Sequence, residues 1–222
     1  MSNGADRGAE LLDCLLQGGE KAVAHFADLS GGECFDEAPE YFLTTYLASS
    51  VRRLEKTYAM LEVHVGGTRQ EAGAYRRGRP AKSERKNGRF DFIVYWANGN
   101  PRGAIEVKSP LCLVHENRLR PDFERLCKTI SANHDSSFQF GAFLYYASVS
   151  APKRKHDNAS AKLRELIDNI HLRAVTIANK DELAATSWPG SIHRGKEEGD
   201  RAWCLAAIVF TRKGGDQYFQ RS

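Results

Sequence analysis

The stretch from Arg89 to Lys108, RFDFIVYWANGNPRGAIEVK, decides how the rest of the chain is arranged. Two runs, RFDFIVYWA and NPRGAIEVK, read as strands, and between them stands Asn98-Gly99, a dipeptide favoured in two-residue type I′ hairpin turns. With those two residues as the turn, Ala97 faces Asn100, and Asp91 lies opposite Glu106. Opposed residues on antiparallel strands have Cβ atoms about 4.5–5.5 Å apart, so the pairing would bring the two carboxylates together. Side chains alternate between faces along a strand. Phe90, Phe92, Val94, Trp96, Ile105 and Val107 therefore form an apolar face, and Asp91, Glu106 and Lys108 emerge on the other. A slip of one residue would undo this set, and Pro101, which cannot donate to a ladder, leaves the loop length open.

Upstream, YAMLEVHV from Tyr58 to Val65 has the length and composition of a strand, closed by Gly66-Gly67. Before it, Pro39 suits a first helical position, and Phe42, Leu43, Tyr46, Leu47, Val51 and Leu54 make an apolar stripe running to about Lys56. Glu40 then falls in the first turn, where a carboxylate suits the helix dipole whatever else it does. The first 35 residues read as a helical segment ended by Gly31-Gly32, with Val23, Phe26 and Ala27 at helical spacing. Downstream, a helix is expected to start near Pro121, with Phe123, Leu126, Cys127 and Ile130 on one face. Phe138 to Val149 reads as a central strand, Ala159 to Ala178 as an amphipathic helix, and Ala202 to Thr211 as a buried strand.

A chain of 222 residues with 41% hydrophobic content can bury a substantial core, and residues 1–222 read as one domain. No stretch approaches the roughly 20 apolar residues that cross a bilayer, and the first ten residues have no signal-peptide pattern, so a cytoplasmic location without a membrane partner is expected. Cys14, Cys34, Cys112, Cys127 and Cys204 are widely spaced and read as reduced thiols, mostly buried. There is no H-E-x-x-H, no paired C-x-x-C and no G-x-S-x-G, which argues against zinc-site and serine-hydrolase chemistry.

The net charge of +4 permits a polyanionic partner, and its distribution says more. Thr68 to Gly88 reads as a long polar loop, and between Arg76 and Lys86 it carries Arg76, Arg77, Arg79, Lys82, Arg85 and Lys86, opposed in that shorter run only by Glu84. Those six residues are the expected nucleic-acid contacts, because arginine forks match phosphate oxygens. Tyr75 adjoins them, and Lys153, Arg154 and Lys155 would extend the footprint.

The acidic pair and its lysine suit phosphodiester hydrolysis, which needs a cation at the phosphate, an activated water and stabilisation of the departing oxygen. Magnesium is usually held by one or two carboxylates, with water and substrate completing the octahedron, and Asp91 with Glu106 is such a pair. Lys108 projects from the same strand face as Glu106, close enough to orient an attacking water.

In order, PEYFLTTYL, GRFDFIVYW and GAIEVKSP, followed by a helix and a strand, resemble the PD-(D/E)XK superfamily of restriction-endonuclease-like nucleases, over about residues 39–149. The resemblance implies a three-layer α/β/α core with a mixed central β-sheet flanked by helices. It implies a divalent-metal-dependent nuclease acting on DNA, of the kind found in restriction, defence or repair, with Mg²⁺ as cofactor and Mn²⁺ able to substitute. Asp91, Glu106 and the backbone carbonyl of Val107 would ligate the metal, Lys108 would position the water, and Glu40 matches the helix acid that supports the metal or its water shell. Glu37 takes that last role if the helix starts earlier. The family's leading proline is absent, since Arg89-Phe90 precedes Asp91. Cutting both strands of a duplex would need two sites, which a homodimer or larger complex would supply. The competing expectation is a catalytically inactive subunit of the same fold that binds nucleic acid or another protein.

Overall fold

The hairpin that organises the sequence is present in the computed structural model of the chain, which describes residues 6–74, 88–111, 118–151, 158–194, 200–215 and 219. Its strands are β2, Arg89–Trp96, and β3, Pro101–Leu111. The turn between them differs from the expected one. Trp96 N–H donates to the Asn100 carbonyl, which leaves a three-residue loop, Ala97 to Gly99, with Gly99 at φ 85°. Glycine at 99 tolerates the left-handed conformation that the longer loop needs. Near the turn Tyr95 pairs with Pro101, but an irregularity between Val94 and Tyr95 takes up one residue, so that Phe92 pairs with Ile105. That bulge restores the register that would place Asp91 opposite Glu106.

Around this hairpin lies a seven-stranded mixed sheet. Strand β1, Thr57–His64, pairs antiparallel with β2, and β3 pairs parallel with β4, Phe140–Ala151. Beyond β4 come β7, Asp200–Arg212, and then β5, Leu183–Pro189, at the far edge, while the two-residue β6, His193–Arg194, also pairs with β7. Among the described strands, β5 and β6 had no counterpart in the sequence reading.

Both faces of the sheet are covered. Helices α1, Asp6–Ser30, and α2, Glu40–Ser50, bury Leu11, Leu15, Leu43 and Leu47 against Phe92, Val94, Ile105 and Val107. On the other face α4, Arg120–Ser131, and α5, Ala159–Ala178, bury Phe123, Leu126, Leu163 and Ile170 against Ile93, Ala104, Phe143 and Ile208. Each layer removes a helix stripe and a sheet face from water at about 25 cal/mol per Å² of apolar area, the main favourable term in folding. The architecture is the expected three-layer α/β/α arrangement. The expected helix Ala159–Ala178 has the bounds of α5, and β4 lies in the middle of the sheet. Pro39 caps α2 from outside rather than opening it, so Glu40 is its first residue.

Three expectations need correction. Gly66-Gly67 does not end β1; both glycines lie in a short helix α3, Val65–Glu71, so the first part of the expected polar loop is ordered secondary structure. Val65 and Thr68 are buried there, and packing outweighs the low helix propensity of glycine. The apolar face of the hairpin is Phe92, Val94, Ile105 and Val107 only. Phe90 crosses to the other core, and Trp96 is half-buried beneath the Arg102 guanidinium, 4.1 Å from its ring centre. The alternation breaks at Asp91 because its opposite number on β1, Glu62, takes a left-handed conformation at φ 54°, and Val63 and Phe90 beyond it turn to the α4 side together.

Among the described residues, no helix is long and apolar enough to cross a membrane. Cys14, Cys127 and Cys204 are buried and unbridged, Cys34 is half-buried and unbridged, and Cys112 lies outside the described residues.

Candidate active site

The β2–β3 ladder runs as far as Phe92↔Ile105, after which β2 continues against β1 and β3 against β4. The sheet forks there, and the side chains at the fork are Asp91 and Glu106 with Lys108 beyond. Where the ladder would place a β2 carbonyl, the Asp91 Oδ2 accepts the Val107 N–H at 2.6 Å. The N–H and C=O of one strand residue point to the same side, so the Val107 carbonyl also faces the fork.

Helix α2 brings the third acid. Glu40, in its first turn, accepts from Lys108 Nζ at 3.3 Å and from the Ser109 backbone N–H at 3.2 Å. Glu37, the alternative, is exposed in the short turn Phe35–Glu37 before α2. The structure thus brings Glu40, Asp91, Glu106 and Lys108 to one place from α2, β2 and β3.

Helix α4 adds two residues that the sequence reading did not single out. Asp122, in the first turn, has Oδ2 3.9 Å from Lys108 Nζ and accepts from the Arg125 NH2 group at 2.7 Å. Arg125 also brings Nε to 2.7 Å from Glu106 Oε1. That approach is an ion pair without alignment: both atoms are buried, and neither makes a directed hydrogen bond. The spacing of Asp122 and Arg125, one helical turn apart behind Pro121, was the only sequence signal for them, and it is common on solvated helices.

Electrostatics follow from this packing. Burial pushes the Asp91 carboxyl up from 3.8 to about 6, against the pull of the Val107 N–H and of Lys108 and with a further push from Glu40 and Asp122. Glu106, only 2% exposed, is held well above the usual carboxylate range by burial, more than Arg125 pulls it back. For Lys108 burial works against the charge, but Glu40, Asp122 and Asp91 together raise its affinity for the proton. Among the described residues four carboxylates face two cations, which leaves a surplus of acid in a poorly hydrated place.

The donors suit a hard divalent cation in kind: carboxylate oxygens, a backbone carbonyl and a buried Glu106 oxygen that lacks an aligned hydrogen bond. They do not form a complete cage, for among the described residues no three His, Cys, Asp or Glu side chains are grouped to hold a metal ion by themselves. A site that leaves coordination positions to water and substrate is the usual arrangement for magnesium.

Glu62, which the register sets opposite Asp91 on β1, is half exposed and stands 3.7 Å from Arg89, and Glu71 accepts from the Tyr95 hydroxyl at 3.5 Å. Arg76, Arg77, Arg79, Lys82, Arg85 and Lys86, together with Tyr75, Lys153, Arg154 and Lys155, lie outside the described residues. Compared with protein-family models, curated proteins and solved structures, the chain matches none.

Proposed function

We propose that this chain hydrolyses phosphodiester bonds in nucleic acid, DNA in the first place, as a divalent-metal-dependent nuclease of the PD-(D/E)XK type serving restriction, defence or repair. The observation that carries the reading is the convergence of Glu40, Asp91, Glu106 and Lys108 at the point where β2 and β3 part. The order α2, β1, β2, β3, α4, β4, with the short α3 inserted between β1 and β2, follows the order of elements that the sequence resemblance implies.

Asp91, Glu106 and the Val107 carbonyl would hold the ion. A bound Mg²⁺, or Mn²⁺ in its place, would supply positive charge at the phosphate oxygens and make a water more acidic. Lys108 keeps its ammonium because Glu40 and Asp122 flank it, so it can donate to a water or to a phosphate oxygen. Glu40 fixes that ammonium while also taking the Ser109 N–H, which ties the end of α2 to β3. Gly88 and Ala151, the described residues nearest the two basic segments, belong to the same end of the sheet: Gly88 adjoins Arg89 at the start of β2, and Ala151 ends the strand that runs parallel to β3. Two basic segments in the sequence, RRGRPAKSERK and PKRK, suit a polyanionic substrate.

A second reading, a nucleic-acid-binding or protein-binding subunit without catalysis, draws on the Arg125 ion pair that already engages Glu106. Cleavage of supercoiled plasmid and of single-stranded circular DNA separates the two, using Mg²⁺, Mn²⁺ or EDTA with wild type, Asp91→Ala and Lys108→Ala. Nicking that requires the ion and vanishes in both variants is the expected result. Absence of cleavage together with absence of metal binding overturns the catalytic reading in favour of the second.

A further inference from the structure

Arg125 makes two unequal contacts. Its NH2 group gives Asp122 Oδ1 a directed hydrogen bond of 2.7 Å, and because the two residues are three apart on α4, the helix carries that anchor by itself. Its Nε is equally close to Glu106 Oε1, but the N–H is not aimed at the oxygen, and both buried atoms are left without a directed partner. The exposures differ as well. The Glu106 side chain is 3% exposed and cannot move out, whereas the Arg125 side chain, at 21%, reaches in from the solvent side. A guanidinium placed only to pin α4 to the sheet would be expected to direct its N–H at the carboxylate, since charge-assisted hydrogen bonds are strongest when aligned.

We propose that Arg125 is a built-in counter-cation of the centre: it holds Glu106 until a divalent ion takes that carboxylate, and then turns about its Asp122 anchor toward a phosphate of the substrate. The inference rests on the metal-dependent reading above and adds to it a coupling between ion and nucleic acid. Two cations contest one carboxylate, so each binds more weakly for the presence of the other. A phosphate that accepts the released guanidinium removes that penalty, so ion and substrate should bind with positive linkage. Lys108 does not fill this role, because Glu40 and Asp122 already hold its ammonium.

The test is Mn²⁺ titration followed by loss of the free-ion electron paramagnetic resonance signal, with wild type, Arg125→Gln and Asp91→Ala. Arg125→Gln is expected to bind Mn²⁺ about tenfold more tightly than wild type, or more, as the repulsion is removed. Asp91→Ala is expected to bind it more weakly. Unchanged or weaker binding by Arg125→Gln, with wild type binding and Asp91→Ala impaired, overturns the counter-cation and leaves the metal site standing. No Mn²⁺ binding by any of the three overturns both.

A second measurement uses fluorescence anisotropy of a labelled single-stranded oligonucleotide in Ca²⁺ and in EDTA. Wild type should gain affinity with the ion, and Arg125→Gln should gain less; an equal gain removes the linkage. If Arg125→Gln does not fold by circular dichroism, the Arg125 Nε–H resonance of ¹⁵N-arginine-labelled wild type, assigned by its loss in Arg125→Lys, takes its place. That resonance should move on adding Mg²⁺, and a static resonance in a protein that binds Mn²⁺ overturns the proposal.

Discussion

Replacing Asp91 by asparagine is expected to stabilise the ion-free protein above pH 7 and to leave it little changed at pH 4. The carboxyl titrates near 3.8 when unfolded and near 6 in the fold, chiefly because burial disfavours its charge. A raised carboxylate binds its proton more tightly in the native state, so stability declines as pH climbs from about 4 to about 6 and stays lower above that window. About two pH units at about 1.4 kcal/mol each put the penalty near 3 kcal/mol. Asparagine is neutral at every pH and escapes it, and the pull of the Val107 N–H and of Lys108 on the charged carboxylate is already contained in that net shift. A gain of about 3 kcal/mol corresponds to a rise in melting temperature of about 6–12 °C for a chain of this size. Thermal unfolding in EDTA at pH 4, 6 and 8 measures it. A variant no more stable than wild type at pH 8 would mean that Lys108 and the Val107 N–H fully compensate the buried charge, and the argument that the fork holds surplus acid would fail with it. Adding Mg²⁺ should stabilise wild type at pH 8 and leave Asp91→Asn nearly unmoved.

Glu40→Gln removes the main carboxylate partner of Lys108, so the ammonium should lose its proton at lower pH; the alkaline limb of a cleavage–pH profile is expected to move down, and an unmoved limb would separate Glu40 from the state of Lys108. Gly103→Ala would place a Cβ 2.1 Å from Cζ of the buried Phe140 ring, so urea unfolding should show a loss of about 2–3 kcal/mol, with part of it recovered by Phe140→Leu. Asp36→Ala takes the acceptor from Ser148 and an ion-pair partner from Arg201, 2.8 Å away each, and is expected to cost about 1–3 kcal/mol in the same assay without altering Mn²⁺ affinity.

The fold was legible where one local rule dominated. α5 carries a long stripe of Leu163, Leu166, Ile167, Ile170 and Ala174, and a stripe of that length leaves its boundaries little freedom. The sheet register was reached through two departures that cancel: the turn is one residue longer than Asn98-Gly99 suggests, and the irregularity between Val94 and Tyr95 absorbs the extra residue. Pattern reading finds such a register because the buried faces of Phe92, Val94, Ile105 and Val107 enforce it, whatever the turn does. It did not find α3, since Gly66 and Gly67 argue for a break, and the burial of Val65 and Thr68 against more distant elements is invisible in the local sequence. Strand β5 escaped for a similar reason, its alternating signal being weak with Ala184, Ala185, Thr186 and Ser187 all half-buried.

The candidate site divides in the same way, and the division has a physical cause. Asp91, Glu106 and Lys108 are related by strand pairing and period two, and Glu40 by its place at a helix start, so each is set by short-range geometry. Asp122 and Arg125 reach the fork only because α4 packs Phe123, Leu126 and Ile130 into the core and thereby turns the adjoining flank toward the end of β3. Helix phase is read from the apolar positions, but which neighbour the polar side then meets depends on how the crossover from β3 to the parallel β4 lays α4 on the sheet. Had the apolar stripe begun one residue later, Arg125 would point elsewhere, and Glu106 would be buried without a cation beside it. The same helix therefore sets both the stability of the core on one side and the charge balance of the fork on the other. Substitutions at Phe123 or Leu126 that shift the phase of α4 should change metal affinity along with stability, although neither side chain approaches the carboxylates.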